Sequence, residues 1–473
     1  MKKSLQYLAA GAAILPVTGF AAASKASNGT AAQNQKPNIL LIMVDDLGYG
    51  DLSCQYAKDM HTPNIDSLFA KSLAANDCHA NSAVSSPSRA GLLTGRYPDM
   101  VGVPGVIRTQ PLASWGYLNP KAVLLPQMLK KAGYTTALIG KWHLGLESPN
   151  LPNERGFDMF HGFLGDMMDD YYTHRRGGLN LMRHNKQEVD PKGHATDVFT
   201  QWAIDYLNQQ KDKKAPFFLL LTYNAPHYPV QPPQEYLDRV LAREAGINPI
   251  RAKLVALIEH LDSGVGKVLA TLESTGQMDN TIIVFTSDNG GHAPSMANNG
   301  PTRGAKSDMY EGGIKVPFCI YWKDRIKPRR TDNFLILSDL FPTFCDILSI
   351  PVRHEIDGMS LWPLFRGEEQ VTDDRYVVWS LRAHGDMFGK TSDAVRYKGY
   401  KLLQNRPDKP YELFDLHADP LESDSLEKKG QIYQGLVKQL IYHYNMVGSI
   451  PYQAPGRPTT LGEFPKVDGN GKD

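Results

Sequence analysis

The chain has 473 residues, 42% of them hydrophobic and 21% charged, with a formal net charge of +1. That length is too great for one small core and predicts a large domain with a smaller partner. The near-neutral balance excludes the strongly basic character of nucleic-acid binders, so any anionic ligand has to be held by local charges.

Lys2 and Lys3, the apolar stretch from Leu8 to Phe20 and the small residues Ala21-Ala22-Ala23 read as a signal peptide over residues 1–23. The stretch is short for a bilayer span and is interrupted by Gly and Pro, so cleavage and export to the periplasm or medium are expected, with no membrane span. Residues 24–36 form a polar linker. The four cysteines, Cys54, Cys78, Cys319 and Cys345, match no zinc or redox spacing. Export permits disulfides, and the sequence leaves their pairing open. Cys319 lies in the apolar run Val316 to Tyr321, so a buried free thiol is expected there.

From residue 37 the pattern becomes regular. Ile39 to Val44 is a continuous apolar run ending in charge, as in a strand buried on both faces. Thr135 to Ile139, Phe217 to Leu221, Ile282 to Thr286 and Phe318 to Tyr321 are similar. Between them, Leu254, Ile258, Leu261, Val265, Val268 and Leu272 make one helical stripe, with Gly276 just past its end. Ala122 to Lys131 is a second helix candidate, stopped by Gly133. Strands alternating with helices predict an α/β fold, a largely parallel sheet with helices on both sides, over 37–350. After Pro351 the pattern changes to short strands at Tyr376 to Ser380, Ala394 to Asn405 and Tyr411 to Leu416, then a helix over Lys429 to Met446. This predicts a C-terminal α+β subdomain over 351–450, followed by a polar tail over 451–473.

Polar clusters follow the apolar runs: Asp45-Asp46, Lys141-Trp142-His143, Asn224 to His227, and Asp288-Asn289. In a parallel sheet ligands gather beyond the carboxyl ends of strands, so these clusters are expected to share one edge. Asp45, Asp46, Asp288 and Asn289 are an all-oxygen set suited to Ca²⁺ or Mg²⁺. Singly, each would serve as a turn or cap residue; two clusters placed alike behind buried strands favour a metal. Arg89, Lys141, His143, His227 and Lys306 supply positive charge and proton donors if they share a pocket. The stretch from Ser85 to Arg96 reads as a serine-rich loop entering a helix, with Ser88 near the N-cap and anions favoured at the helix start.

That stretch, Ser85-Ser86-Pro87-Ser88-Arg89 with Gly95-Arg96 following, resembles the signature of the type I sulfatases of the alkaline-phosphatase superfamily. Val44 to Asp51, Thr62 to Asp66, Gly140 to Gly145, Ser287 to Gly290, Tyr310 to Gly313 and Glu412 to Leu416 are similarly typical. The resemblance runs from Pro37 to Glu427. It implies an alkaline-phosphatase-like fold, a large mixed but mostly parallel sheet flanked by helices, with an antiparallel sheet in the smaller C-terminal subdomain. It also implies that Ser85 is oxidised to formylglycine by a sulfatase-maturating enzyme of the anaerobic, radical type. One hydroxyl of the hydrated aldehyde would attack sulfur, and the other would then expel sulfate. By the same resemblance Asp45, Asp46, Asp288, Asn289 and modified residue 85 hold Ca²⁺. Arg89 and Lys141 steady the hydrated aldehyde, His143 is the base that releases sulfate, and His227 and Lys306 bind sulfate and protonate the leaving oxygen.

Three positions depart from the family pattern: Ser85 in place of the more widespread Cys, Ala305 before Lys306 where Gly or Ser is commoner, and Lys315 in place of Arg, expected to be structural. Exported relatives with Ser commonly act on sulfated carbohydrates. The segment Asp169 to Arg176 mixes aromatic and charged side chains suited to sugars. Asp170, His174, Arg175 and Arg108 are therefore candidates for sugar recognition, with Arg382 and His384 closing the pocket. The layout resembles sulfatases acting on galactose or N-acetylgalactosamine. The rival readings are a phosphodiesterase or phosphonate hydrolase of the same superfamily and a non-catalytic glycan-binding relative.

Overall fold

The structure is a computed structural model that describes residues 35–110, 114–382, 391–406 and 409–447. The leader, most of the linker, the C-terminal tail and His384 lie outside the described residues. The strands are β1 (Asn38–Val44), β2 (Leu73–His79), β3 (Thr135–Lys141), β4 (Met159–Phe163), β5 (Arg175–Arg176), β6 (Leu179–Asn180), β7 (Met182–His184), β8 (Gln187–Glu188), β9 (Phe217–Thr222), β10 (Thr281–Ser287), β11 (Phe318–Tyr321), β12 (Arg329–Ile336), β13 (Val377–Arg382), β14 (Thr391–Tyr397), β15 (Tyr400–Gln404) and β16 (Glu412–Asp415). The helices are α1 (Pro63–Ala70), α2 (Ser85–Thr94), α3 (Leu125–Lys131), α4 (Ala195–Gln210), α5 (Gln234–Arg243), α6 (Pro249–Ser274), α7 (Glu311–Ile314), α8 (Leu340–Ile347), α9 (Trp362–Phe365) and α10 (Gly430–Val447).

Ten strands form one mixed sheet in the order β12-β2-β11-β10-β1-β9-β3-β4-β7-β8. Its centre, β10-β1-β9-β3-β4, is all parallel, and these strands are the apolar runs expected from sequence plus β4. β1 and β9 are buried nearly throughout, which is why their sequences do not alternate. The helices α1, α4 and α5 pack on α6, while α2, α3 and α8 pack together, and the two groups flank the sheet. Cys319 is fully buried as a free thiol, as expected, and the other three cysteines are also unpaired.

α3 begins at Leu125, later than Ala122, because Gln127 reaches back to the Leu124 amide at 2.8 Å and Pro126 suits the first turn. The expected strand Ala394 to Asn405 is two strands joined at Lys398-Gly399, both with positive φ. β13 to β16 form an antiparallel sheet whose period-two alternation serves two faces. Val378, Val395, Leu402 and Leu413 meet Leu436 and Leu440 of α10. Trp379, Leu381, Ala394, Leu403 and Phe414 pack on Phe334 and Ile336 of β12 and on Val84 beside Ser85. Each such leucine contributes about 1.5–3 kcal/mol by burial. No helix among the described residues is long and apolar enough to cross a membrane.

Candidate active site

The register of β1 and β10 creates the floor of the site. Val44 pairs with Ser287, so Asp45-Asp46 and Asp288-Asn289 leave neighbouring strands side by side. The Asp46 amide donates to Asp288 Oδ1 at 3.2 Å, and Asn289 Nδ2 donates to Asp46 Oδ1 at 2.8 Å. Asp46 has φ 66°, a left-handed conformation that costs a non-glycine residue energy and is held by these contacts.

α2 starts at Ser85 itself, after an extended Val84, and is buried along its whole length. Ser88 therefore stands inside the first turn rather than at the cap. Its hydroxyl pairs backward, donating to the Ser82 carbonyl at 2.8 Å and accepting from the Ser82 amide at 3.0 Å. Ser85 Oγ lies 3.0 Å from Asp45 Oδ1 and 3.4 Å from Asn289 Oδ1. Arg89, one turn later on the same helix face, grips Asp288 Oδ2 through Nη2 at 2.8 Å and Nε at 3.2 Å.

The end of β3 supplies Lys141, whose Nζ meets Asp45 Oδ2 at 2.5 Å with both side chains fully buried. Burial pulls the Lys141 pKa below the usual lysine range, more than Asp45 lifts it. His143 follows at φ 59° and is buried. Its Nε2 is 2.9 Å from the Ile107 carbonyl, which fixes the proton there, and its buried Nδ1 has no hydrogen-bond partner. Burial and the neighbouring Lys141 and Arg89 charges hold its pKa well below the usual histidine range, so the ring is neutral.

His227, after β9, holds the Tyr228 carbonyl through Nδ1 at 2.6 Å, leaving Nε2 3.6 Å from Asp46 Oδ2. Lys306 Nζ reaches the same Asp46 oxygen at 2.7 Å. Burial opposes the charged form of Lys306, but Asp46 and Asp45 outweigh it and raise its pKa. For Asp45 and Asp46 likewise, burial is outweighed by the surrounding cations, Lys141 and Lys306 foremost, and both stay ionised. Asp288 is the exception, raised by burial and by the Asp45 charge.

The floor fits a hard divalent cation. Each carboxylate gives one oxygen to a cation: Asp45 to Lys141, Asp46 to Lys306 and Asp288 to Arg89. The other oxygen of each is hydrogen-bonded only to a neutral donor, the Ser85 hydroxyl, the Asn289 amide and the Asp46 peptide N–H, with Arg89 Nη2 standing 3.8 Å from the Asp45 one. Asp45, Asp46 and His227 also bring donor atoms within 4.8 Å of one another. A buried edge of oxygens with weak neutral partners is the donor set that Ca²⁺ and Mg²⁺ prefer.

Above the floor is a cavity of about 440 Å³ whose wall includes Ser85, Asp46, His143, His227 and Lys306. All residues expected to carry chemistry thus meet in one place. The sugar-recognition candidates divide. Arg108 lines the cavity; Asp170, His174, Arg175 and Arg382 do not. Asp170 is consumed locally, accepting from the Tyr172 and Thr173 amides at 2.9 and 2.7 Å and from Gln231 at 2.7 Å. His174 is buried and holds the Gly193 carbonyl at 3.0 Å. Arg175 pairs with Asp190 at 2.8 Å. Arg382 closes β13, its amide on the Pro104 carbonyl at 2.8 Å. Sequence reasoning missed Asp166, Tyr228 and His292, which line the cavity. Asp166 follows β4, whose short Met-Phe-His-Gly-Phe run gave no strand signal. Tyr228 adjoins His227, and His292 follows Asp288 by four residues, so nearness to expected site residues was the available clue.

Fold and site together define the class, a hydrolytic enzyme of the alkaline-phosphatase-like fold. The family described as Sulfatase matches residues 37–350, and one described as N-sulphoglucosamine sulphohydrolase, C-terminal, matches residues 305–447. The chain belongs to the sulfatase family, hydrolases of sulfuric esters. It is similar to N-acetylgalactosamine-6-sulfatase of Canis lupus familiaris, 32% identical over 373 residues that cover 74% of this chain and 70% of that one. It is also similar to human arylsulfatase A, 31% identical over 446 residues covering 82% and 83% of the two chains. Among solved structures, Ps i-CgsB in complex with k-i-k-neocarrahexaose superposes with a TM-score of 0.79 at 32% identity, covering 86% of this chain and 93% of that one.

Proposed function

We propose that the protein is an exported sulfatase that removes an O-sulfate group from a sulfated glycan containing galactose or N-acetylgalactosamine. The carrying observation is that Ser85 lies at the first residue of a buried helix, within 3.0 Å of Asp45, under a cavity walled by His143, His227 and Lys306. The names of the similar proteins, a hexosamine 6-sulfatase and a protein crystallised with a carrageenan oligosaccharide, support the carbohydrate class. The leader-like N-terminus supports export to the periplasm or medium.

Ser85 is read as the precursor of formylglycine, installed by a maturating enzyme of the anaerobic type. The hydrated aldehyde supplies paired hydroxyls, one to attack sulfur and one to expel sulfate, which splits a hard displacement into two easier ones. Asp45, Asp46, Asp288, Asn289 and residue 85 would hold Ca²⁺, which supplies polarisation of the sulfate oxygens and stabilises an ionised nucleophile. Arg89 and Lys141 keep fixed positive charge beside residue 85, where negative charge develops. His143 accepts a proton at Nδ1, because Nε2 is already committed to Ile107. Lys306 Nζ faces the Asp46 side of the cavity as a donor to sulfate and to the leaving oxygen. His227 Nε2, whose ring already gives its Nδ1 proton to the Tyr228 carbonyl, donates beside it when the ring carries a second proton. Arg108, Tyr228 and His292 contact the sugar, while Asp166, gripped by Arg176 at 2.9 and 3.1 Å, shapes the wall beside them.

Mass spectrometry of the Ser85 peptide from protein matured in its native host tests the chemistry: loss of two hydrogens is expected, and intact serine in active enzyme overturns it. Parallel rates on aryl sulfate, aryl phosphate and sulfated monosaccharides test the class. Cleavage of phosphodiesters with no sulfate release would overturn it in favour of a phosphodiesterase or phosphonate hydrolase.

A further inference from the structure

Lys306 sits on the loop of residues 303–310 that leads into α7, between β10 and β11. On one side its backbone is tied to the site: the Lys306 amide donates to the Gly291 carbonyl at 3.0 Å and the Ser307 amide to the Ala83 carbonyl at 2.9 Å. The remainder of the loop is held by the C-terminal sheet. Asn405, at the end of β15, uses both ends of its amide. Oδ1 accepts from the Met309 amide at 2.5 Å, and Nδ2 donates to Asp308 Oδ1 at 2.9 Å. The second Asp308 oxygen accepts from the Ala305 amide, the residue before Lys306, at 2.8 Å. Further along, Glu412 of β16 accepts from the Tyr310 hydroxyl, the Arg303 guanidinium covers the Tyr310 ring at 3.9 Å, and the Glu422 carboxylate accepts from the Glu311 amide at 2.6 Å. Ser307 has φ 80°, a left-handed conformation that costs a non-glycine residue energy and is held by these contacts.

We propose that Asn405 is a positioning residue: through Asp308 it fixes where Lys306 stands over Asp46, so the C-terminal sheet takes part in the reaction. The inference rests on Lys306 acting on the leaving oxygen. An amide is the side chain that satisfies a backbone N–H and a carboxylate at once. Asp would set two carboxylates together, and Ala would leave Met309 N and Asp308 Oδ1 without their partner. Catalytic groups must be held to within about 0.5 Å, and a misplacement of about 1 Å costs about a hundredfold in rate.

The experiment uses the matured full chain, with the modified fraction at residue 85 measured by mass spectrometry and thermal melts recorded alongside. The kcat/KM is determined on aryl sulfates of graded phenol acidity for wild type, Lys306→Ala, Asn405→Ala and the double variant. Asn405→Ala is expected to lose about tenfold to a hundredfold on the least acidic phenols and much less on the most acidic. Lys306→Ala is expected to steepen the same dependence, and the double variant to be no worse than Lys306→Ala. An Asn405→Ala loss equal across the series, or losses that multiply in the double variant, overturns the inference. If Asn405→Ala does not fold, Glu412→Gln carries the same expectation in smaller degree, and a flat series there overturns it. A flat series for Lys306→Ala defeats the role given to Lys306 and the inference with it; a steep one beside a flat Asn405→Ala defeats the inference alone.

Discussion

Two buried ionic clusters in this protein look alike as lists of residues. One is the floor under the cavity, with Asp45, Asp46 and Asp288 against Lys141, Lys306 and Arg89. The other is the seam between the large sheet and the C-terminal sheet, with Asp77, Glu311 and Glu422 against Arg396, Lys401 and Lys315. Each also brings three potential metal donors within 4.8 Å, Asp77, His79 and Glu311 in the seam. They differ in how the carboxylate oxygens are spent. In the seam Arg396 takes both Asp77 oxygens, at 2.6 and 3.3 Å, while Lys401 and His79 take the two Glu311 oxygens at 2.9 and 2.7 Å. Glu422 divides its oxygens between Lys401 at 2.8 Å and the Glu311 amide at 2.6 Å, and His79 Nδ1 has no hydrogen-bond partner either, but no seam residue lines the cavity. In the floor every carboxylate has one oxygen hydrogen-bonded to a neutral donor, and neutral His143 keeps a free Nδ1 beside that cavity. A buried charge cluster becomes a site when it leaves oxygens and a base unspent where substrate can reach them.

That contrast is sharpest at Ser85. Ser85→Ala is expected to lower turnover by about 10⁴–10⁶-fold, the scale seen when a covalent nucleophile is removed, with little change in melting temperature. Residual activity within about tenfold of wild type would break the assignment of the floor as the reacting centre. His143→Asn comes next. Asn tolerates the left-handed backbone at this position, so the fold should persist while kcat falls by about 10²–10⁴-fold, read in single-turnover release of sulfate. In the seam the same kind of change strikes stability. Lys401→Met leaves Glu311 and Glu422 buried without their shared cation and should cost about 3–5 kcal/mol of unfolding free energy, measured by denaturant titration. A loss under about 1 kcal/mol would mean the seam is solvated and not the sealed counterpart of the floor.

The floor was legible because its residues follow apolar runs that could only be buried strands, and parallel register then brings their ends together. Thr222 and Lys141 end β9 and β3 in the same way, so His227 and His143 were placed correctly from order alone. The seam was not legible. His79 ends β2, Leu-Ala-Ala-Asn-Asp-Cys-His, which has neither an apolar run nor clean alternation, and its partner Glu311 is 232 residues away. The cavity wall failed for a different reason. Asp170, His174 and Arg175 have the chemistry of sugar ligands, but the Tyr172 and Thr173 amides, the Gly193 carbonyl and Asp190 satisfy them first. Arg108 lines the cavity and is placed by its neighbour Ile107, whose amide donates to Ser86 Oγ at 3.0 Å and whose carbonyl pins His143. Arg108→Ala should therefore raise KM for the sulfated sugar by about tenfold to a hundredfold, the value of one charge-assisted hydrogen bond, with kcat nearly kept. Equal loss on a bare aryl sulfate would remove Arg108 from sugar recognition.

The smallest expected effect concerns a third buried pair, His443 of α10 with Asp99, joined at 2.7 Å under the edge of the Tyr97 ring. Burial alone would depress the histidine pKa, but the Asp99 carboxylate outweighs it and raises the value above the ordinary range. The folded state therefore binds this proton more tightly than the unfolded chain. The stabilisation is fully present below the unfolded-state pKa of about 6.5 and is lost as pH rises through the raised folded value. Unlike the floor, whose ionic pairs are proposed to serve chemistry, this pair should show itself only in stability. His443→Gln should lower the melting temperature most at about pH 6 and progressively less towards about pH 9, with kcat/KM unchanged at each pH. A melting difference that grows with pH would reverse the sign and show that the histidine is held neutral in the fold.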